Sequence, residues 1–263
     1  MKKERGDVFK TETLIYGLNP VRELVEEAPH AVSCLVTPEN PSNKEAISIV
    51  DAAKSKGIPV KTISDGEFAR MERGRNFQKI AAELKEFEYA VLGDVLKGIE
   101  SAGKRYPLMV ALDSVTDPHN LGAVARTACF FGADCVIIPE DRSVPVTPAV
   151  IKASSGAVFR IPVVKVVNLA RTLDELFERG FLVIGADAKG GTDIREMKFD
   201  EPLVVVLGSE GAGLRRLVKE KCRKLVNIPS AGFESLNVSV AAGIIIFYVK
   251  SMSTPHALQS TRF

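Results

Sequence analysis

Chemically useful side chains are concentrated in residues 203–249, where polar or glycine-rich loops follow two short apolar runs. The first run, LVVVL, ends at Gly208, and Glu210 lies in the glycine turn that follows. The second run, LVNIP, precedes a polar loop that contains Ser235 and Asn237. Apolar runs bounded by turns predict buried strands, and open α/β sheets bind ligands beside the carboxyl ends of their strands. We therefore expect a binding crevice where these two strands end.

The glycine turn lacks two familiar nucleotide-binding signatures. GSEGAG differs from GxGxxG because Glu210 occupies the position of the second glycine, and no Gly-Lys-Ser/Thr ending follows as in a P-loop. Dinucleotide and triphosphate binding therefore lose their main support. Glu210 is either a solvent-facing loop carboxylate or a group placed near a cationic ligand. Ser235 and Asn237 equally fit the cap and first turn of the last helix.

A third segment with chemical potential, DPHNLGAVARTA, follows an earlier apolar run. Asn120 can cap a helix that is predicted to begin at Leu121. Arg126 lies six residues beyond Asn120, which is less than two helical turns. Its side chain can therefore reach back to the amino end of the helix, where unpaired N–H groups favour a phosphate. From spacing alone, a cap followed by an ordinary helical arginine is the simpler interpretation.

A basic cluster in the amino-terminal part of the chain is the remaining candidate. It consists of Arg70, Arg73, Arg75 and Lys79, with Phe77 among them. Such a cluster can hold phosphates while the aromatic ring stacks on a base. The alternative is a solvated charged turn, since runs of charge usually lie on the surface.

Composition limits the other classes of function. The chain has 263 residues, of which 46% are hydrophobic and 26% are charged, as in ordinary globular domains. The net charge of +2 does not by itself indicate nucleic acid. The four cysteines form no CxxC pair, and the three histidines are isolated, so neither a metal site nor a disulfide framework is expected. Without a signal-peptide pattern or a membrane-length apolar run, we expect a cytoplasmic protein.

Strands and helices are predicted to alternate in two domains. In the larger domain, strands at 108–112, 135–138, 158–164 and 181–186 are separated by helices, which predicts a parallel sheet covered on both faces. The predicted divisions are a flexible start (1–11), a small α/β domain (12–87), a linker with a short helix (88–106), the larger domain (107–250) and a tail (251–263).

Three segments carry a family resemblance. DPHNLGAVARTA, LGSEGAGL and IPSAGFESLNVSVAAGI, in this order, resemble the signature motifs of the SpoU/TrmH family of RNA 2'-O-methyltransferases, within the SPOUT class. KASSGAVFRIPV between them is also similar, and the resemblance covers residues 108–249. IYGLNPVRELVE resembles the start of the small RNA-binding domain that precedes the catalytic domain in the large-subunit rRNA guanosine methyltransferases of this family.

The resemblance implies a fold, a cofactor and a partner. The parallel sheet would end in a deep trefoil knot, an exception to the rule against knots. S-adenosyl-L-methionine would bind there, held largely by backbone groups near Leu207, Gly208, Ile228 and Leu236. The family acts as homodimers packed through the catalytic domains, so the apolar helix predicted at 238–249 would face a second copy. A helix buried in the core would have the same sequence pattern.

The resemblance also assigns roles in the chemistry. A ribose 2'-hydroxyl is a poor nucleophile, so the enzyme must align it with the methyl donor and help remove its proton, without a metal. Arg126 would bind the phosphate of the target nucleotide and take part in activating the hydroxyl. Because a free guanidinium has a pKa above about 12, we expect it to orient the phosphate and stabilise charge. Asn120 would organise the pocket, Glu210 would position cofactor and substrate, and Ser235 with Asn237 would complete the site.

One departure from the family pattern concerns substrate choice. Where relatives usually carry a His-Gln-Gly segment, this chain has Phe77, Gln78 and Lys79. We expect an RNA 2'-O-methyltransferase that acts on a guanosine ribose of 23S rRNA. The alternatives are a tRNA substrate, an RNA-binding protein without catalysis and, more distantly, a nucleotide-dependent oxidoreductase.

Overall fold

The computed structural model describes residues 13–39, 41, 43–72, 78–85, 87–188, 190–232 and 234–253. These residues form two compact units. The amino-terminal unit contains the described residues up to 88 together with 146–160. The carboxy-terminal unit contains residues 89–145 and those from 161 onward.

The amino-terminal unit is built on a four-stranded mixed sheet. Its elements are β1 (Leu14–Tyr16), α1 (Leu18–Glu27), β2 (Val32–Pro38), α2 (Lys44–Ser55), β3 (Val60–Ile63), α3 (Asp65–Glu72) and β4 (Ala81–Leu84). The strand order is β1-β4-β2-β3, with β2 and β3 parallel and the other pairs antiparallel. Helix α1 buries Val21, Leu24 and Val25, which recur at helical spacing and therefore share one face.

The carboxy-terminal unit is built on a seven-stranded sheet in which every pair is parallel. Its strands are β5 (Leu108–Asp113), β6 (Cys135–Pro139), β7 (Val163–Val166), β8 (Leu182–Ala186), β9 (Thr192–Asp193), β10 (Leu203–Gly208) and β11 (Lys224–Asn227). They lie in the order β7-β6-β5-β10-β8-β11-β9. Its helices are α4 (Leu92–Ser101), α5 (Pro118–Phe130), α7 (Leu169–Glu178), α8 (Arg216–Lys221) and α9 (Val238–Ser253), while α6 (Pro148–Ala153) lies in the amino-terminal unit. The predicted α/β architecture with a parallel sheet is confirmed.

The central strands β5 and β10 are neighbours, and two of the predicted motifs begin close to their carboxyl ends. Every residue of β5 is buried, as are the first five residues of β10, which agrees with their almost continuous apolar sequences. The two strands pair in register from Leu203 opposite Leu108 to Gly208 opposite Asp113. Their carboxyl ends therefore finish at the same level of the sheet.

Two segments differ from the predicted elements. The short helix predicted within the linker at 88–106 is present as α4, but its Leu96 and Ile99 are buried in the core of the carboxy-terminal unit, so the segment packs as part of that unit. The predicted strand at 158–164 is instead a 3-10 turn, Ala157–Phe159, followed by β7. Helix α6 belongs to the amino-terminal unit, where Lys152 Nζ lies 4.9 Å from the ring centroid of Tyr16.

Candidate active site

The first turn of helix α5 lies beside the carboxyl end of β5. This helix begins at Pro118, and the carboxylate of its N-cap Asp117 accepts a hydrogen bond of 2.8 Å from the His119 backbone N–H. The prediction that Asn120 caps the helix is therefore wrong. An Asp-Pro pair starts a helix well, because the carboxylate satisfies an N–H group and the proline ring already has a helical φ. Asn120 consequently lies inside the first turn, where it is buried.

Three side chains from distant segments meet at this point. Asn120 Nδ2 donates to Glu210 Oε1 at 3.0 Å. Asn237 Nδ2 donates to the same Glu210 oxygen and also to Asn120 Oδ1, the latter at 3.1 Å. Hydrogen bonds to an ionised carboxylate are stronger than those between neutral groups. We call these three residues the amide–carboxylate network.

Asn237 also caps the last helix. Its Oδ1 accepts from the backbone N–H of Ser239 at 2.9 Å and from the Ser239 hydroxyl at 2.6 Å. The oxygen of one amide therefore starts α9 while its nitrogen holds Glu210. The capping interpretation of Asn237 is confirmed, while its role in a functional site stays a prediction that is compatible with the cap, since the two use different atoms. Ser235 lies exposed on the preceding loop, and no hydrogen bond among the described residues joins it to the network.

A polar pocket opens beside the network. Its lining includes the loop after β5, the first turn of α5, the glycine turn and the start of α9: Ser114, Val115, Thr116, Asp117, Asn120, Ser209, Glu210 and Val238. Hydroxyl, amide and carboxylate groups thus converge on one concavity at the carboxyl edge of a parallel sheet. This edge is where open α/β folds bind ligands, as predicted. The prediction that the crevice lies between the ends of β10 and β11 is wrong, because β8 separates these two strands and the pocket lies beside β5 and β10 instead.

The glycine turn folds back onto the end of its own strand. Ser209 and Gly213 exchange two backbone hydrogen bonds, of 3.2 and 2.9 Å, and Gly211 and Gly213 have positive φ angles of 79° and 68°. A Cβ at Gly208 would overlap the backbone carbonyl of Gly213 and the amide of Leu214. The backbone of the glycine turn therefore packs directly against the end of its own strand, which only a glycine at 208 allows.

Family models match nearly the whole length of the described chain. The SpoU rRNA methylase family model matches residues 107–247, and the model for RNA 2'-O ribose methyltransferase substrate binding matches residues 14–90. The chain belongs to the SpoU rRNA methylase family. The resemblance drawn from the three motifs is confirmed.

Individual relatives agree with this membership. A protein named as a TrmH family tRNA/rRNA methyltransferase, YacO of Bacillus subtilis (strain 168), is 43% identical over 218 residues, covering 82% of this chain and 87% of YacO. The 23S rRNA (guanosine-2'-O-)-methyltransferase RlmB of Coxiella burnetii is 40% identical over 240 residues, covering 90% of this chain and 94% of RlmB.

Solved structures of the SpoU family share the fold. The SpoU methyltransferase AviRb from Streptomyces viridochromogenes, solved in complex with AdoMet, superposes with a TM-score of 0.76 at 24% identity, covering 91% of this chain and 89% of AviRb. A TrmH family protein from Porphyromonas gingivalis gives a TM-score of 0.70 at 27% identity, with the same shares covered.

The other residues that the SpoU resemblance singled out lie on four segments of the carboxy-terminal unit. Leu207, the residue before the end of β10, is buried and pairs with Leu112 of β5. Ile228 directly follows β11, and Leu236 is exposed on the loop before α9. Arg126 is exposed on α5 and is not among the residues that line the pocket.

The predicted RNA-binding cluster is only partly described. Arg73 and Arg75 lie outside the described residues. Arg70 is exposed on α3, with its Nε donating to the Gly66 carbonyl at 3.1 Å. Lys79 is exposed as well, and its Nζ lies 3.4 Å from an Asp65 carboxylate oxygen.

Sequence reasoning missed one pair of charges beside the pocket. Asp113, the last residue of β5, is fully buried, and its carboxylate accepts from both the Nε and the backbone N–H of Arg215. A carboxylate at the end of an otherwise apolar run is a weak signal that a buried partner exists. Its partner lies 102 residues away, so no local pattern identifies it.

Three further features of the described part of the chain concern its thiols, its metal-ligating side chains and the lengths of its helices. Burial raises the pKa of the Cys222 thiol to about 12, and burial also raises the pKa of Cys34. Thiols with raised pKa values are poor nucleophiles at neutral pH. Among the described residues, no group of three His, Cys, Asp or Glu side chains could hold a metal ion. None of the described helices combines the length and apolar character needed to cross a membrane.

Proposed function

We propose that this protein is an S-adenosyl-L-methionine-dependent RNA 2'-O-methyltransferase that methylates a guanosine ribose in 23S rRNA. The observation that carries the proposal is the amide–carboxylate network, because it joins all three signature motifs of the family at one pocket. The rRNA substrate is supported by 40% identity to RlmB over 90% of the chain. Residues 107–250 would form the methyltransferase domain and residues 12–87 the RNA-binding domain, in a cytoplasmic protein.

The residues at the carboxyl edge of the sheet fit the proposed cofactor. S-adenosyl-L-methionine supplies a methyl group on a cationic sulfur, and Glu210 provides a carboxylate beside the pocket. Backbone groups near Leu207, Gly208, Ile228 and Leu236 would hold the rest of the cofactor, within the trefoil knot that the resemblance implies. The fold is shared with AviRb, which was solved with AdoMet.

The chain's own residues would align the substrate. Arg126 would hold the phosphate of the target nucleotide through its planar fork of N–H donors. Its permanent charge would also stabilise the negative charge that develops on the 2'-oxygen as its proton leaves. Asn120 and Asn237 would fix the Glu210 carboxylate, and Ser235 would complete the polar surface. In the amino-terminal unit, Arg70, Arg73, Arg75 and Lys79 would contact RNA phosphates.

Variants of Asn237 separate capping from catalysis. We expect Asn237→Ser to keep an N-cap, since serine caps helices nearly as well, but to lose both amide donors to the network. The melting temperature should then stay near the wild-type value while methyl transfer falls by about tenfold or more. Asn237→Ala should lose about 1 kcal/mol of stability as well. Equal rates for Asn237→Ser and wild type would remove Asn237 from the site. Thermal unfolding and transfer of a labelled methyl group to RNA provide the two readouts.

Mapping the sites of 2'-O-methylation identifies the RNA substrate. Sites of 2'-O-methylation in rRNA should be compared between cells with and without the protein, and loss of one guanosine methylation is expected. A tRNA substrate is the second candidate, because the name of YacO includes both tRNA and rRNA. Methylation of purified tRNA but not of large-subunit rRNA would select it. Turnover on any RNA would eliminate an RNA-binding protein without catalysis. Stabilisation by NAD but not by S-adenosyl-L-methionine would instead favour an oxidoreductase.

An exposed apolar face supports the proposed homodimer. On α9, Val240, Ile244 and Phe247 lie at helical spacing and are between 39% and 52% exposed. Phe130 on α5 is also exposed, and Phe131 packs against Phe247 with ring centroids 5.6 Å apart. Contiguous apolar surface of this kind marks an interface. We propose that this face packs against a second copy of the chain.

Removing an aromatic ring from this face tests the dimer. We expect Phe247→Glu to convert the protein to a monomer at micromolar concentrations, because the new charge would be buried without a partner. The matched control is Phe177→Glu, which changes another half-exposed phenylalanine, located on α7 beside Arg223. Light scattering after gel filtration gives the masses. A dimeric Phe247→Glu variant would place the interface elsewhere.

A further inference from the structure

The buried carboxylate of Asp113 connects two segments that border the pocket. Its Oδ1 accepts from Arg215 Nε at 2.6 Å, and its Oδ2 accepts from the Arg215 backbone N–H at 2.8 Å. Asp113 is fully buried, whereas the Arg215 side chain is about one third exposed. A buried charge with good geometry and extra hydrogen bonds is costly to disrupt from one side.

The pair fixes both ends of the glycine turn to the same strand. At the near end, Gly208 pairs in register with Asp113 across β10 and β5. At the far end, Arg215 lies two residues beyond Gly213 and is the N-cap residue of α8. Glu210 lies between these two attachments. Asn120 and Asn237 hold its carboxylate, and the Asp113–Arg215 pair adds an anchor for the far end of the turn that carries it.

We propose that Asp113 and Arg215 are positioning residues that hold the glycine turn in the conformation needed to bind S-adenosyl-L-methionine. They act through the backbone at Gly208 and through Glu210, and they touch neither cofactor nor RNA. The inference rests on the cofactor site proposed above. Loss of either partner lets the far end of the turn move away from β5, so cofactor affinity falls.

A second buried carboxylate provides a matched control. Asp134 is buried at the opposite end of β5, where its carboxylate accepts from the Leu108 backbone N–H at 2.8 Å and from Lys104 Nζ. The two carboxylates thus share the same type of partners, one backbone N–H and one cationic side chain. Only Asp113 lies at the carboxyl edge beside the pocket. A purely structural role predicts the same consequences for both.

The test compares Asp113→Asn with Asp134→Asn by calorimetric titration of S-adenosyl-L-methionine and by thermal unfolding. Both variants should melt at lower temperature than wild type. We expect the Kd to rise about tenfold in Asp113→Asn, equivalent to about 1.4 kcal/mol, and to change by less than about twofold in Asp134→Asn. Equal Kd values in the two variants would overturn the inference. Absence of binding to folded wild-type protein would instead overturn the proposed cofactor site, and this inference with it.

Variants of Arg215 test the positioning role of the pair if Asp113→Asn does not fold. Arg215→Ala keeps the backbone hydrogen bond to Asp113 and removes the one from the side chain. It should also raise the Kd for S-adenosyl-L-methionine by about tenfold. Arg215→Lys retains a cation and should restore most of the affinity. An Arg215→Ala variant that binds as tightly as wild type would contradict the proposed role.

Discussion

Replacing Arg126 with alanine is expected to lower methyl transfer to RNA by about 10²–10³-fold while S-adenosyl-L-methionine still binds. Arg126 is exposed on α5 and lies outside the pocket lining, so its loss should leave the cofactor site intact. A guanidinium group offers N–H donors and has no acceptor atom, so it is unsuited to act as a base. Its proposed contribution is therefore to hold the phosphate and to stabilise the charge on the 2'-oxygen, and both effects act on the rate.

Two further arginine variants make this prediction specific. Arg126→Lys keeps the positive charge but loses the planar fork, so an intermediate loss of about tenfold is expected. Arg171→Ala changes an equally helical, exposed arginine on α7, which pairs with Glu175 at 3.1 Å, and should leave the rate unchanged. Single-turnover methylation and titration of the cofactor supply the measurements. A wild-type rate in Arg126→Ala would refute the role assigned to it.

The architecture was predictable because the hydrophobic pattern is strong in the central strands. Strands β5 and β10 are almost continuously apolar and buried, and such runs between helices require a parallel sheet covered on both faces. Weaker hydrophobic patterns did not predict the position or the packing of their elements. Strand β9 has only two residues and leaves no periodic signal. Helix α4 was assigned to a linker, because composition does not show that Leu96 and Ile99 enter the core of the carboxy-terminal unit.

The residues of the site were predictable, whereas their hydrogen bonds were not. The motifs identified Asn120, Glu210 and Asn237, but spacing assigned Asn120 to a cap that Asp117 provides instead. That two amides share one carboxylate oxygen depends on where three segments end in space. The Asp113–Arg215 pair was missed for the same reason.

Helix α9 shows a further limit of pattern reading. It is apolar on every side, burying Val238, Ala242 and Ile245 while exposing Val240 and Phe247. A sequence of this kind fits equally a core helix and a helix at an interface. The structure separates the two faces by their exposure.

Replacing Gly208 with alanine is expected to destabilise the protein by about 1–3 kcal/mol and to raise the Kd for S-adenosyl-L-methionine more than tenfold. The added Cβ would overlap the Gly213 carbonyl and the Leu214 amide. Both obstacles are backbone atoms, so they cannot rotate away as a side chain does. The turn must therefore separate from the end of β10, and Glu210 must move with it.

Other glycines provide controls for space and for backbone conformation. At Gly98 on α4 a Cβ meets no atom within 4 Å, so Gly98→Ala should stabilise the helix by about 0.5–1 kcal/mol. At Gly211 the space is also open, but φ is +79°, so Gly211→Ala should show the cost of backbone strain without overlap. Thermal unfolding and calorimetric titration distinguish the three cases. If Gly208→Ala matches wild type in both melting temperature and cofactor affinity, the turn can move without losing the cofactor. The tight closure at Gly208 would then not be what binding requires.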